Sequence, residues 1–350
     1  MIASGKLIAG DRLPTIRDLA KQLSINLHTV RKAYLKLEAE GLVETVRGRG
    51  THVLSYDPRR IVQTASLIRS HTVGVILPSL TNPFYQAFLE GAEQVADRDQ
   101  TLLFVCNTQD DPGEAMRYYA QLAAKQVDGI LVVSHSISDT LAEEPGPVAS
   151  SLPMVTVDWP GSKGYAVLID LENAGYQATR HLLEHGHRQM GLITFIDDIP
   201  NVQPLNAGYR RALGEVGIDV DPALVAGMME FRFASGREGA HRLLALSQPP
   251  TAIFAIADTL ALGAMSAIQE AGLRIPEDIA LVGFNDIPVA ALLHPPLTTV
   301  TGYPDRLGFQ AMSMLQKLIA GKRPAKRQVV LPTDLVIRQS CGCPAFHTQI

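Results

Sequence analysis

From residue 72 onward the chain alternates between short apolar runs and amphipathic stretches, and this restricts the fold more than any other feature. Runs of strand length occur at 73–78 (VGVILP), 102–106 (LLFVC), 129–133 (GILVV), 154–157 (MVTV), 190–196 (MGLITFI), 252–257 (AIFAIA) and 279–284 (IALVGF). Stretches with helical periodicity lie at 83–98, 112–126, 173–186, 206–217, 235–247, 259–272 and 304–321. Uninterrupted apolar runs suit strands buried on both faces. Strand followed by helix, repeated, builds parallel sheets covered on both sides. So many units predict an α/β body of two doubly wound lobes rather than one.

The chain has 350 residues, 46% hydrophobic and 19% charged, which is ample for two or three cores. No window approaches the length of a membrane span, so none is expected. The start, MIASGKLIAG, does not read as a signal peptide. Three cysteines, Cys106, Cys341 and Cys343, cannot form a disulfide framework, which fits a reducing cytoplasm. Charge is unevenly spread. Residues 1–60 carry 11 Lys+Arg against 6 Asp+Glu, a net +5, whereas the rest carries 20 against 29, a net −9. A basic head on an acidic body suits phosphate attraction confined to one domain.

That head reads as helix, helix and hairpin over residues 1–54. Pro14 suits a helix start, and Ile16, Leu19, Ala20 and Leu23 form an apolar stripe. Asn26 is a good N-cap for a second helix whose inner face is Val30, Ala33, Tyr34 and Leu37, and Gly41 ends it. Residues 42–53 predict two strands around Gly48-Arg49-Gly50. Residues 55–71 are polar and weakly periodic, a linker with room for a short helix. Asn26 and Thr29 sit at a helix N-terminus, whose N–H groups and dipole attract phosphate. Arg31 and Lys32 add salt-sensitive charge, and Arg49 between glycines can enter a narrow groove.

The motifs LPTIRDLA (13–20), HTVRKAYLKLEAEGLV (28–43) and GRGTHV (48–53) resemble the GntR family of winged-helix repressors. The resemblance implies a winged helix-turn-helix that binds double-stranded operator DNA. Arg17, Asn26, His28, Thr29, Arg31 and Lys32 would face the duplex, with Arg49 and Gly50 at the wing tip. Two departures stand out. Asn26-Leu27 replaces the Ser-Arg of many relatives, so their operator sequence does not carry over. Relatives also have further residues ahead of IASGKL that form most of a first helix, which implies a start upstream of Met1.

Residues 72–341 resemble the effector domain of LacI-type repressors, which shares the fold of periplasmic sugar-binding proteins. The motifs are VGVILPSLTNPFYQAFLEGAEQVA (73–96), VDGILVV (127–133), ATRHLLEHGHRQMGLI (178–193), PTAIFAIADTLALGAMSAIQEAGLRIPEDIALVGFNDIP (250–288), LTTV (297–300) and LPTDLVIRQSCG (331–342). The resemblance implies lobe one over about 72–169 and 293–322, and lobe two over about 170–292 and 323–341. Three crossovers would join them, near 168–170, 289–295 and 322–328. Ligand then sits at the carboxyl ends of the strands. Strand ends deliver Ser79, Asn82 and Phe84, then Asp158 and Trp159, then Asp258, then Asn285; Phe231 lies where relatives place a stacking aromatic. Hydroxyl-pairing amides and carboxylates beside aromatic faces suit a sugar or polyol. The residues leave several duties open. Asp258 could instead cap the next helix, and Asn82-Pro83 could be only a turn. Trp159 could be wall or core, and Asp286 could merely support Asn285. Gln203, Pro204, Leu205 and Asn206 stand where relatives carry a ligand-gripping arginine, and Ala257-Asp258 where they often carry Asn-Asp. A charged ligand is therefore disfavoured.

No metal or other cofactor is expected. His181, His185 and His187 have metal-like spacing but belong to a helix-to-strand pattern. Cys341-Gly-Cys343 with His347 offers only two thiols. No GxxxxGK[ST], HExxH or GxSxG element occurs. The chain so read resembles arabinose-repressor-type hybrids: a cytoplasmic, non-enzymatic, homodimeric regulator whose operator affinity responds to a small polar effector. A sugar-transport component or a sugar-processing enzyme on the same scaffold are the alternatives.

Overall fold

The computed structural model describes residues 7, 9–23, 25–39, 41–46, 49–54, 69–134, 152–195 and 199–343. The chain divides into two compact units, Met1–Ser70 and His71–Ile350. Most of the expected linker, and with it any short helix there, lies outside the described residues.

The first unit contains α1 (Ile16–Leu23), α2 (Leu27–Ala39), β1 (Val43–Val46) and β2 (Gly50–Val53). Thr15 rather than Pro14 opens α1. Its hydroxyl accepts from the Asp18 N–H at 3.2 Å and donates to the Asp18 carboxylate at 2.6 Å. The strands pair antiparallel from Val43↔Val53 to Val46↔Gly50. An unforeseen third segment joins them. Leu13 N–H donates to the Thr51 carbonyl and Val53 N–H to that of Asp11, both at 2.8 Å. Leu13, Ala20, Val30, Tyr34, Val43 and Val53 form the core. Two expected core residues stay outside it. Leu23, the last residue of α1, is 55% exposed, and Ala33 is exposed on the flank of the line Val30–Tyr34–Leu37.

The second unit holds two six-stranded sheets. One uses β3 (Thr72–Leu77), β4 (Leu102–Asn107), β5 (Gly129–Val133), β6 (Met154–Val157), β7 (Ala166–Ile169) and β13 (Gln328–Leu331). Its order is β13-β7-β6-β5-β3-β4, all parallel. The other uses β8 (Met190–Phe195), β9 (Val225–Met228), β10 (Ala252–Ala255), β11 (Ala280–Phe284), β12 (Thr298–Thr301) and β14 (Asp334–Val336). Its order is β14-β12-β11-β10-β8-β9, parallel except for the edge strand β14.

Helices cover both faces, as β5 illustrates. Leu131 and Val133 pack in one cluster with Phe88 of α3 (Pro83–Ala96). Ile130 and Val132 pack in another with Ala115, Tyr119 and Leu122 of α4 (Pro112–Ala124). Successive side chains point to opposite faces, so both parities must be apolar. Lobe two carries α5 (Leu171–Glu184), α6 (Gln203–Glu215), α7 (Phe233–Leu244) and α8 (Asp258–Glu270).

The crossings between lobes differ from expectation, and so do the lobe boundaries. The first falls at Asp170, as anticipated. The second falls after β12, at 302–303, not 289–295, because β12 pairs with β11 of lobe two. The helix α9 (Pro304–Ile319) then returns to lobe one, where it packs on α3. A Cβ at Gly91 would overlap the Asp305 carbonyl, and one at Gly308 the Phe88 carbonyl, so only glycine permits that approach. The third falls at 332–333, not 322–328, because β13 pairs with β7. Strand β12 (TTVT) is short and threonine-rich, so its apolar signal is weak. Hydrogen bonding nevertheless lets Thr298 and Thr299 be fully buried.

Candidate functional site

In the head, α2 begins at an Asn26 cap, whose side-chain oxygen accepts from the His28 N–H at 2.8 Å. That leaves the carboxamide NH2 as the group Asn26 can offer outward. His28, Thr29, Arg31 and Lys32 are exposed along the first turns of α2, and Arg17 is exposed on α1. Tyr34 fastens α2 to the approach of α1 by donating to the Pro14 carbonyl at 2.6 Å. The wing turn closes with the Arg49 N–H on the Val46 carbonyl at 3.0 Å, and Arg49 is exposed. Gly50 has φ +95°, and a Cβ there would lie 2.7 Å from Arg12 Nε. The Arg12 guanidinium thus crosses the wing backbone. No sequence signal marked Arg12, because it precedes the motif.

In the body, the carboxyl ends of the strands hold residues in the left-handed region: Ser134 (φ +53°), Asp158 (+51°), Asn285 (+115°) and Asp286 (+52°). Non-glycine residues adopt this region at a cost and only where surroundings enforce it. Backbone bonds do so here. Ser134 N–H donates to the Val157 carbonyl, Asp158 N–H to that of Val167, and Asn285 N–H to that of Val300, at 2.8, 2.9 and 2.8 Å.

Three polar atoms, Ser134 Oγ and Asp158 Oδ1 at these ends and Asn201 Oδ1 in the segment between β8 and α6, are buried and make no hydrogen bond among the described residues. Buried polar atoms without partners are costly, so these three are candidate points of ligand contact. Burial pushes the Asp158 carboxyl up to about 7. Tyr85 lies beside this group. Burial raises its phenol above the ordinary value, and Asp158 and Asp110 add to the rise. Its hydroxyl neighbours Ser134 Oγ without closing a hydrogen bond of normal geometry. Trp159 is buried but belongs to none of the core clusters among the described residues. Phe84 is 5% exposed and meets Tyr85 edge-on, with ring centroids 5.2 Å apart.

Ser79 is half-buried and bonds to Thr81 Oγ1 at 2.9 Å. Asn82 caps α3, accepting from the Phe84 N–H at 3.0 Å, so the turn reading accounts for its oxygen. Phe231 stacks on Phe195 with centroids 5.1 Å apart and planes at 16°. Asp110 of lobe one sits close enough to Arg232 and Glu230 of lobe two to feel both. Burial raises its carboxyl, Arg232 lowers it and Glu230 raises it.

Asp258 takes neither of its expected roles. It is fully buried. One oxygen accepts from Thr299 Oγ1 at 2.7 Å and the other from the Ile287 N–H at 2.9 Å. The N-cap of α8 is Ala257, with no side-chain bond. Asp258 therefore ties β10 to β12 and to the loop after β11 beneath the cleft. Asp286 pairs with Arg338 at 2.7 Å, which gives its carboxylate a structural partner. Ser134, Tyr85, Asn201 and Asp110 were missed by sequence reasoning. Ser134 directly follows GILVV, so the strand-end rule that found Asp158 could have found it.

Comparison with known proteins completes the picture. Residues 1–53 match the bacterial regulatory proteins of the gntR family, and residues 179–341 match the periplasmic binding protein-like domain. The chain is 32% identical over 332 residues to the HTH-type transcriptional repressor PurR of Aliivibrio salmonicida, covering 94% of this chain and 99% of that protein. The chain belongs to the PurR/LacI family of transcriptional repressors. Among solved structures, the transcription regulator CcpA of Lactococcus lactis superposes with TM-score 0.70 at 29% identity, covering 78% of this chain and 99% of that chain. The regulator CelR in complex with cellobiose superposes with TM-score 0.71 at 25% identity, covering 94% and 100%. This family member is a ligand-responsive, DNA-binding transcriptional regulator with a gntR-type head on a two-lobed α/β body.

Proposed function

We propose that the cleft takes a neutral polyhydroxylated effector, a sugar or close analogue, and that its binding changes operator affinity. The observation that carries this is the set of unpartnered buried atoms Ser134 Oγ, Asp158 Oδ1 and Asn201 Oδ1. Asp158 lies near its midpoint at neutral pH, so it can donate to or accept from a hydroxyl. Trp159, Phe231 and Phe84 supply aromatic surface for sugar C–H faces, and Ser79, Asn82 and Asn285 stand at neighbouring strand ends. CelR, a structural relative, is described with a bound disaccharide. Asp258 is not among the ligand contacts proposed, because the fold engages both its oxygens.

In the head, Asn26, His28, Thr29, Arg31 and Lys32 enter the major groove of an operator, Arg17 contacts backbone, and Arg49 with Gly50 approaches the minor groove. The protein acts in the cytoplasm, where its DNA is, as a homodimer. Leu102 and Phe104 support the dimer: they are 67% and 44% exposed on one face of the edge strand β4, an apolar strip suited to a second copy. Ligand works by binding one lobe arrangement better than another.

The test is fluorescence anisotropy with a duplex from the protein's own promoter, with and without a panel of neutral sugars, alongside thermal shift. A sugar that raises the melting temperature and moves operator affinity is the expected result. Stabilisation only by anionic or apolar compounds would refute the effector class. Phe104→Glu should shift the sedimenting species from dimer to monomer and weaken operator binding; an unchanged dimer would place the contact elsewhere.

A further inference from the structure

The C-terminal end of α5 and the end of the described chain meet at a cluster of soft ligands. His181 and His185 are one helical turn apart on α5 and its cap, so both rings leave the same face. The rings are edge-on, with centroids 4.7 Å apart. Across from them lie Cys341 and Cys343. One donor atom from each of the four residues lies within 4.8 Å of every other. Cys343 Sγ is 3.1 Å from His185 Nε2 and 3.6 Å from His181 Nε2.

We propose that His181, His185, Cys341 and Cys343 form a tetrahedral two-histidine, two-cysteine site for Zn2+. With bonds of about 2.0–2.1 Å to nitrogen and 2.3 Å to sulfur, tetrahedral ligands sit roughly 3.3–3.8 Å apart. Of the two sulfur–nitrogen separations, 3.6 Å falls within that spacing and 3.1 Å just below it, and small side-chain rotations close the rest. Two thiolates balance the charge of a divalent ion, and each gives up one proton to solvent as its metal–sulfur bond forms. Four protein ligands leave no open position, so the site is structural rather than catalytic.

The surroundings fix these ligands independently. Ser340 is fully buried; its hydroxyl donates to the Leu281 carbonyl at 2.6 Å and accepts from the Thr298 N–H at 2.8 Å. The Leu281 N–H returns a bond to the Ser340 carbonyl at 2.7 Å. The segment bearing both cysteines is therefore strapped beside β11 and β12. Thr298 Oγ1 donates to Cys341 Sγ at 3.1 Å, a bond that favours the thiolate a metal requires. His187 stands outside the set: its Nδ1 pairs with Thr251 Oγ1 at 3.0 Å, and the mutually close donor atoms are those of His181, His185, Cys341 and Cys343. The sequence kept the histidines and the cysteines apart because more than 150 positions separate them. His347, once considered as a partner for the cysteines, lies outside the described residues. The metal would pin the C-terminal strap to α5 and so stiffen lobe two.

Co2+ titration of the full-length, reduced, chelator-treated protein tests this. The expected result is one equivalent per chain with thiolate-to-cobalt charge transfer and tetrahedral ligand-field bands, displaced by Zn2+. Cys343→Ser and His185→Ala, at partly exposed positions, should abolish the charge-transfer band while retaining circular dichroism and operator binding. His187→Ala should leave the band intact. Chelation should lower the melting temperature of the zinc-loaded protein but not of Cys343→Ser. Absence of stoichiometric binding, a band that survives in Cys343→Ser or His185→Ala, or isolation of Cys341 and Cys343 as a disulfide that takes no metal after reduction would each overturn the proposal.

Discussion

Each lobe places an aspartate just past a buried apolar strand, after β6 in lobe one and after β10 in lobe two, and the two are used in opposite ways. Asp158 follows MVTV in lobe one, and Asp258 follows AIFAIA in lobe two. Burial raises both carboxyls, Asp158 to about 7 and Asp258 to about 6. In lobe two, Thr299 and the Ile287 N–H engage both oxygens, and these bonds pull Asp258 back down. In lobe one, Asp158 Oδ1 is left without a partner among the described residues. An acid whose bonds are complete holds a fold together, whereas one whose bonds are incomplete keeps a bond to offer, which is the basis of the ligand role proposed for Asp158. Position in sequence does not separate the two; the inventory of hydrogen bonds does.

The comparison breaks first at Asp258→Ala. Removal strands the Thr299 hydroxyl and the Ile287 N–H inside the protein, at a cost of about 2–5 kcal/mol, read by chemical denaturation. A loss below about 1 kcal/mol would mean the tie is not structural.

Asp158→Asn should behave differently. Effector affinity should fall roughly 10- to 100-fold, about 1.4–2.8 kcal/mol, while operator affinity without effector stays the same. Its pH signature is also distinct. The unfolded chain releases these protons near pH 3.8, whereas the fold retains them to about 6 at Asp258 and about 7 at Asp158. Folded stability therefore falls as pH rises through that window. Asp158→Asn should flatten the fall between pH 6 and 7 by about 1 kcal/mol. Denaturation curves at pH 6 and 7 check this, and an unaltered slope would assign the titration to another group.

Thr299→Val sharpens the contrast with a smaller change. It leaves one Asp258 oxygen unsatisfied and should cost about 1–3 kcal/mol without touching effector affinity. The smallest effect on the body should come from the head. Arg31→Ala should lower the salt slope of DNA binding by about one and leave effector binding intact. An unchanged slope would remove Arg31 from the interface.

Much of this molecule was legible beforehand because the signals were local. Uninterrupted runs such as GILVV are buried on both faces and became parallel strands, as β5 shows. Asn26 caps α2 through its own side chain, which needs only neighbours in sequence. The misses were non-local. Strand β12 carries threonines that look polar until Asp258 and Arg338 partner them, so the crossings were misplaced. Residues 10–12 precede the first motif and carry no strand pattern, yet with Leu13 they pair with the wing.

The sequence by itself determined the class of the protein: a basic winged head on a two-lobed, doubly wound body, and through it a regulator. It could do so because periodicity, capping and motif spacing are properties of contiguous residues. Only the tertiary structure decided which polar side chains are already satisfied and which are left waiting. It alone separated Asp158 from Asp258, and it alone brought His181 and His185 to Cys341 and Cys343. Hydrogen bonds and ligand spheres close across three dimensions, between residues the chain places far apart.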